Sequence, residues 1–109
     1  MCTYKILSHT DNGYIIRCNQ CSHYQIGFGT TIICLSDEQY LEFRNGMQEQ
    51  FDFYEHDGFP FQKTIQLSTF SKNSCMALTL HELQNLTTMV EEANLLMQVE
   101  HILANASHS

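Results

Sequence analysis

The first 35 residues carry apolar side chains at the two-residue period of β-strands. Four runs stand out: Tyr4-Lys5-Ile6-Leu7-Ser8-His9, Tyr14-Ile15-Ile16-Arg17-Cys18, Tyr24-Gln25-Ile26-Gly27-Phe28 and Thr31-Ile32-Ile33-Cys34-Leu35. Asn12-Gly13 between the first two is a hairpin signal, because both central residues of a type I′ turn need positive φ. Two-residue loops at 12–13, 19–20 and 29–30 fix a register that sorts the side chains by face. Ile6, Ile15, Tyr24, Ile26, Phe28, Ile33 and Leu35 fall on one face, the predicted core face. Lys5, His9, Tyr14, Ile16, His23, Gln25 and Cys34 fall on the other. A slip of one residue would scatter the apolar set, so the sorting supports the register.

The period then changes to that of a helix. Ser36-Asp37-Glu38-Gln39 has the form of a capping box, and Tyr40, Phe43, Met47 and Phe51 continue one face at helical spacing. Gly46 weakens this helix by about 1 kcal/mol relative to alanine. The aromatic, aperiodic stretch 51–63, with His56-Asp57-Gly58-Phe59-Pro60 as a turn cluster, is a connector.

Beyond the connector the pattern recurs. Leu35-Ser36-x-x-Gln39-Tyr40-x-x-Phe43-x-x-x-Met47 reappears 43 residues later as Leu78-Thr79-x-x-Glu82-Leu83-x-x-Leu86-x-x-x-Val90. The same offset carries the Gly29-Thr30 turn onto Lys72-Asn73, Ile33 and Leu35 onto Met76 and Leu78, and Tyr24 onto Leu67. The expected fold is α+β in one domain, residues 1–109. Its mainly antiparallel sheet comes from two ββα units (22–50 and 65–93) plus an N-terminal hairpin, with both helices on one face.

The last helix, Leu80 to about Asn105, bears more apolar side chains than one core can cover. Leu83, Leu86, Met89, Val90, Ala93, Leu96, Met97, Val99, Ile102 and Leu103 span more than half its circumference, whereas an amphipathic helix needs a stripe of about 100°. The surplus predicts a homodimer through this helix, with Leu96 and Leu103 in the contact.

Composition narrows the partners. The chain is 43% hydrophobic and 16% charged, with a formal charge of -7. Its five cations, Lys5, Arg17, Arg44, Lys63 and Lys72, are scattered, which argues against nucleic-acid and anionic-membrane binding. The N-terminal segment lacks the pattern of a signal peptide, and no apolar run is long enough to span a bilayer, so a soluble cytoplasmic protein is expected. The sequons at Asn85 and Asn105 are then chance matches.

Five cysteines, an odd number, fit reduced thiols rather than a disulfide framework. Cys18-Asn19-Gln20-Cys21 stands between two strands, a knuckle geometry that offers two thiolates to one ion. Under the 43-residue offset this pair maps to Phe61 and Thr64, so the second unit lacks it. Cys2 starts the strand antiparallel to the one that ends at Cys18, and His23 lies two residues past Cys21. Cys18, Cys21, Cys2 and His23 are therefore the candidate ligands of a zinc ion. The alternatives are a tight turn shaped by two reduced cysteines, with Cys34 and Cys75 buried as small hydrophobes, or a redox pair. Redox CxxC thiols gain their acidity from a following helix, and here a strand follows. His81-Glu82-Leu83-Gln84-Asn85 lacks the second histidine of a zincin, and Gly27-Phe28-Gly29 is a hairpin, not a phosphate loop. Glu91-Glu92 reads as a solvated helix face.

These residues carry a resemblance. Asn12 to Cys21, Tyr24-Gln25-Ile26-x-Phe28-Gly29 and Leu35-Ser36-x-x-Gln39-Tyr40-x-x-Phe43 resemble a family of short uncharacterised bacterial proteins, over about residues 4–47. Their pattern is a CxxC between strands, then a short apolar hairpin and a capped helix. The resemblance implies no activity and supplies no catalytic residue. The expected function is that of a non-catalytic binding or regulatory module, with zinc at the knuckle; the alternative is a small thiol-dependent redox or metal-handling protein using Cys18 and Cys21.

Overall fold

The structure, a computed structural model, describes residues 3–54, 65–70 and 75–106. Cys2, the turn cluster around Pro60 and the Lys72-Asn73 turn lie outside the described residues. The elements are β1 (Tyr4–Thr10), β2 (Gly13–Cys18), β3 (Tyr24–Phe28), β4 (Thr31–Leu35), α1 (Asp37–Tyr54), β5 (Ile65–Ser68), β6 (Cys75–Leu78) and α2 (Leu80–Ala106). The fold is α+β. β1 to β4 form an antiparallel meander, and β5 and β6 pair with each other as a separate two-stranded sheet. Among the described residues, then, the second unit builds its own sheet instead of extending the first.

The helices cross between the units. α2 lies across β1 and β2, and α1 packs against α2 and β5. One hydrophobic cluster draws on all of them, from Ile15, Ile26 and Leu35 in the meander to Phe43, Met47, Ile65, Leu83, Leu86 and Met89. Each element presents one apolar face, and burying those faces against one another is the dominant stabilising term.

Both predicted capping boxes form. Ser36 Oγ accepts from the Gln39 amide (3.2 Å) while Gln39 Oε1 accepts from the Ser36 amide (3.0 Å). Thr79 and Glu82 repeat the exchange at 3.0 Å in both directions. Each box satisfies amides that a helix N-terminus leaves unpaired. α1 runs on to Tyr54, so the helix includes the start of the segment read as a connector, and Phe51 packs against the core.

Three details of register depart from the sequence reading. The first hairpin turns at Asp11-Asn12, with Thr10 opposite Gly13, and neither turn residue has positive φ. Gly13 is required for a different reason: a Cβ there would stand 2.0 Å from the Gly27 carbonyl oxygen. Further along β1, Ile6 faces Ile16 but Ser8 faces Ile15, so Leu7 is the extra residue of a β-bulge. The bulge turns Leu7 inward (6% exposed) and Ile6, assigned to the core by alternation, outward (64%). Adjacent apolar residues cannot both follow the pleat inward, and the bulge selects Leu7.

At the second turn Arg17 faces Tyr24, so the connection between β2 and β3 spans 19–23 rather than 19–20. The shift is two residues, an even number, and every face assignment from Ile15 to Leu35 survives. In the second hairpin Ile65 faces Leu78 and Leu67 faces Met76. Met76 and Leu78 take the places of Ile33 and Leu35 as expected, but the counterpart of Tyr24 is Ile65, not Leu67. The connection 69–74 between Ser68 and Cys75 is longer than the Gly29-Thr30 turn, which displaces the offset on β5.

Polar contacts lock the helices together. The Arg44 guanidinium donates to Glu91 through Nε (2.8 Å) and Nη2 (3.0 Å), and Gln48 Nε2 donates to Glu91 Oε1 (2.8 Å). Ser8 Oγ donates to Glu92 (3.2 Å), so neither Glu91 nor Glu92 is merely solvated. The Arg44 hydrogen bond holds the Glu91 carboxyl below its ordinary pKa and raises that of Arg44. Tyr40 stacks on Tyr24, centroids 4.0 Å apart, and its hydroxyl donates to the Val90 carbonyl at 3.2 Å. Burial raises the pKa of both phenols.

Candidate functional site

Among the described residues, the loop between β2 and β3 carries two cysteines and a histidine, and the C-terminal half of α2 carries exposed apolar side chains.

The loop wraps around the Cys18 thiol. The Cys18 amide donates to the His23 carbonyl (2.9 Å) and its own carbonyl accepts from the Ser22 amide (3.0 Å), which closes the turn. The Cys21 amide donates to Cys18 Sγ at 3.5 Å, and Sγ lies 3.6 Å from Gln20 Oε1. Ser22 takes φ +59°, the left-handed conformation that reverses the chain after Cys21. That strain persists because the flanking bonds over-determine the turn. Cys18 is buried at 1% exposure, whereas Cys21 and His23 are exposed.

The start of the chain is tied to the same loop. The Asn19 amide donates to the Thr3 carbonyl (2.9 Å), and the Thr3 amide donates to Gln20 Oε1 (2.7 Å). Cys2, the residue before Thr3, lies outside the described residues. His23 Nδ1 stands 2.9 Å from the Cys21 carbonyl oxygen. A carbonyl only accepts, so Nδ1 is the donor of this bond. Among the described residues no three His, Cys, Asp or Glu side chains converge on a point that could hold a metal ion. Thus Cys18, Cys21 and His23 share one loop without forming a complete ligand group.

Cys34 and Cys75 are exposed free thiols at Gln25 and Ser68 respectively in the strand ladders, not the buried hydrophobes that composition suggested. His9 faces Tyr14, and Ile16 faces Ile6 and Gln25.

The end of α2 is the second place. Leu95, Val99, Ile102 and Leu103 are exposed at 61, 43, 64 and 63%, while Leu96 and Met97 pack against the core. Leu95, Val99 and Ile102 follow the i, i+4, i+7 spacing of a seam between two helices. The two residues first assigned to the contact therefore separate: Leu103 faces outward and Leu96 inward. An apolar depression of about 350 Å³ lies beside the seam, lined by Met97, Gln98, His101 and Ile102. Glu100, next to Val99 in the chain, is paired with Lys5 of β1. The i, i+4, i+7 count at 95, 99 and 102 was available in the sequence; that α2 outruns its own sheet was not.

Among the described residues no helix is long and apolar enough to cross a membrane. The groups with shifted pKa values, Tyr24, Tyr40, Arg44 and Glu91, belong to the helix–helix and ring contacts described above. The depression between α1 and β5, lined by Glu42, Phe43, Gly46, Glu49 and Gln66 among others, includes none of these four.

The chain belongs to a family of unknown function, DUF6686, whose family model matches residues 1–106. No curated protein and no solved structure matches it.

Proposed function

We propose that this member of a family of unknown function is a non-catalytic binding module that works as a homodimer, joined through the C-terminal half of α2. The observation that supports the reading is the row of exposed apolar side chains Leu95, Val99, Ile102 and Leu103 on one helix. Leu95, Val99 and Ile102 lie on successive turns with Leu103 beside Ile102, unlike singly scattered surface hydrophobics.

Charge favours a second copy as the occupant. Two chains of formal charge -7 repel one another in general. The four seam side chains are uncharged, and Glu100 is matched by Lys5, so the patch itself brings no carboxylate into the contact. A two-fold axis near Val99 sets the helices antiparallel, so that one patch serves both sides. The scarcity and scatter of cations argue against nucleic acid as the occupant.

Sedimentation equilibrium tests this. Wild-type protein at micromolar concentration should sediment at twice the 12.6 kDa chain mass. Leu95→Glu with Ile102→Glu should sediment as one chain with unchanged circular dichroism, since both residues are exposed. A wild-type protein that stays monomeric up to about 100 μM, where even a weak dimer assembles, would refute the homodimer.

A further inference from the structure

We infer that the depression between α1 and β5 is a binding site for a linear aliphatic diamine. Gly46 is the observation that points to it. This residue stands in the interior of α1, where glycine costs about 1 kcal/mol relative to alanine, and a Cβ there would meet nothing within 4 Å. Neither a close approach nor a positive φ demands glycine at this position. Its missing side chain instead opens a cavity of about 170 Å³, lined by the buried Phe43 and Leu67 and by the partly exposed Phe70. A cavity of roughly 150 Å³ holds benzene, so the space suits a small organic body rather than a single water.

The charges at the rim select the class of ligand. Glu42 and Glu49 both line the depression, four residues before and three residues after Gly46. That spacing puts both on the glycine's face of the helix, one turn to either side, with about 10 Å of helix rise between them. Both are exposed, and among the described residues neither forms an ion pair. No basic side chain lines the depression among the described residues, and no third ligand joins the two carboxylates around a metal ion. Two separated carboxylates with apolar side chains between them match two ammonium groups joined by methylenes. The methylenes lie in the notch over Gly46, and each ammonium donates to one carboxylate. A chain of formal charge -7 also draws such a dication from solution. The site shares no residue with the α2 seam, so a monomeric protein would leave it intact.

Titration of the isotopically labelled whole chain at low ionic strength, followed by amide chemical shifts, tests the site. The probes are putrescine, cadaverine and hexamethylenediamine, with n-butylamine and pentanediol as controls. One diamine should bind per chain, with saturable shifts in α1 around Gly46 and in β5, and with an affinity that depends on chain length. The monoamine should bind more weakly and the diol not at all. Glu42→Gln and Glu49→Gln should each weaken the best diamine about two- to fivefold, the range for an exposed ion pair, and should shrink its advantage over n-butylamine. Gly46→Leu fills the notch and should weaken binding at least about tenfold while circular dichroism stays unchanged. No saturable shift with any of the three diamines up to about 10 mM would overturn the assignment. So would equal affinities in wild type, Gly46→Leu and the double Glu42→Gln, Glu49→Gln variant, the result that diffuse attraction to an acidic chain would give.

Discussion

Gly27 lies beneath the ring of Tyr14, and this contact gives a sharp test of how the meander is built. A Cβ on residue 27 would stand 2.3 Å from Tyr14 Cε1, 2.6 Å from Cζ and 2.9 Å from the hydroxyl oxygen. Ordinary carbon–carbon contact needs about 3.5–4.0 Å, so in Gly27→Ala the ring must move by more than about 1 Å. The obstacle is the far end of a side chain, so the ring can give way. Its displacement breaks the hydrogen bond from Gln25 Nε2 to the Tyr14 hydroxyl (2.8 Å), which contributes about 0.5–1.5 kcal/mol. It also removes the ring's packing over the strand. Alanine recovers about 0.5–1 kcal/mol, because glycine is the poorer strand residue. The net expectation is a loss of roughly 1 kcal/mol, or about 4–8 °C in Tm for a chain of this size. In a Tyr14→Ala background the obstacle is gone, and Gly27→Ala should become neutral or stabilising. Urea titration of the four proteins of this cycle measures the coupling directly. If Gly27→Ala costs the same with and without the Tyr14 ring, then the ring is not what demands glycine here.

Two further outcomes follow from the same structure. Gly46→Ala meets nothing within 4 Å and sits inside α1, so it should stabilise the protein by about 0.5–1 kcal/mol in the same titration, and a loss of stability would show that the α1–β5 depression has to stay open. The lowered pKa of Glu91 means that its pairing with Arg44 contributes fully above the unfolded carboxyl's pKa, about 4.3, and fades as the pH falls through the lower folded value; thermal unfolding from pH 6 down to 3 should therefore show a smaller acid-induced drop in Glu91→Gln than in wild type, and equal drops would remove Glu91 from the acid response.

The local structure was legible wherever one residue's chemistry decides it. Ser36 with Gln39, and Thr79 with Glu82, announce two helix starts because the capping atoms lie three residues apart in the chain. The alternation from Ile15 to Leu35 sorted the sheet faces correctly, even though two turns were misplaced, because each error was an even number of residues. The Leu35-to-Val90 comparison marked the second hairpin and helix in the same way. The CxxC was visible as a pattern, but its setting was not: the hydrogen bonds of Thr3 to Asn19 and Gln20 join residues sixteen or more positions apart.

Tertiary structure decided what depends on competition between distant surfaces. Ile6 and Leu7 are equally apolar, and only the packing of α2 across β1 selects Leu7 for the core, through a bulge that no local signal marks. Glu91 looks like any exposed helix carboxylate until α1 brings Arg44 and Gln48 against it. Leu95 and Leu96 are neighbours of the same type, and the angle at which α2 meets the sheet sends one outward and the other inward. Hydrophobicity fixes how much apolar surface must be buried but not which neighbour buries it, because the hydrophobic effect has no direction. That choice belongs to the geometry of close packing, which exists only once the elements have met.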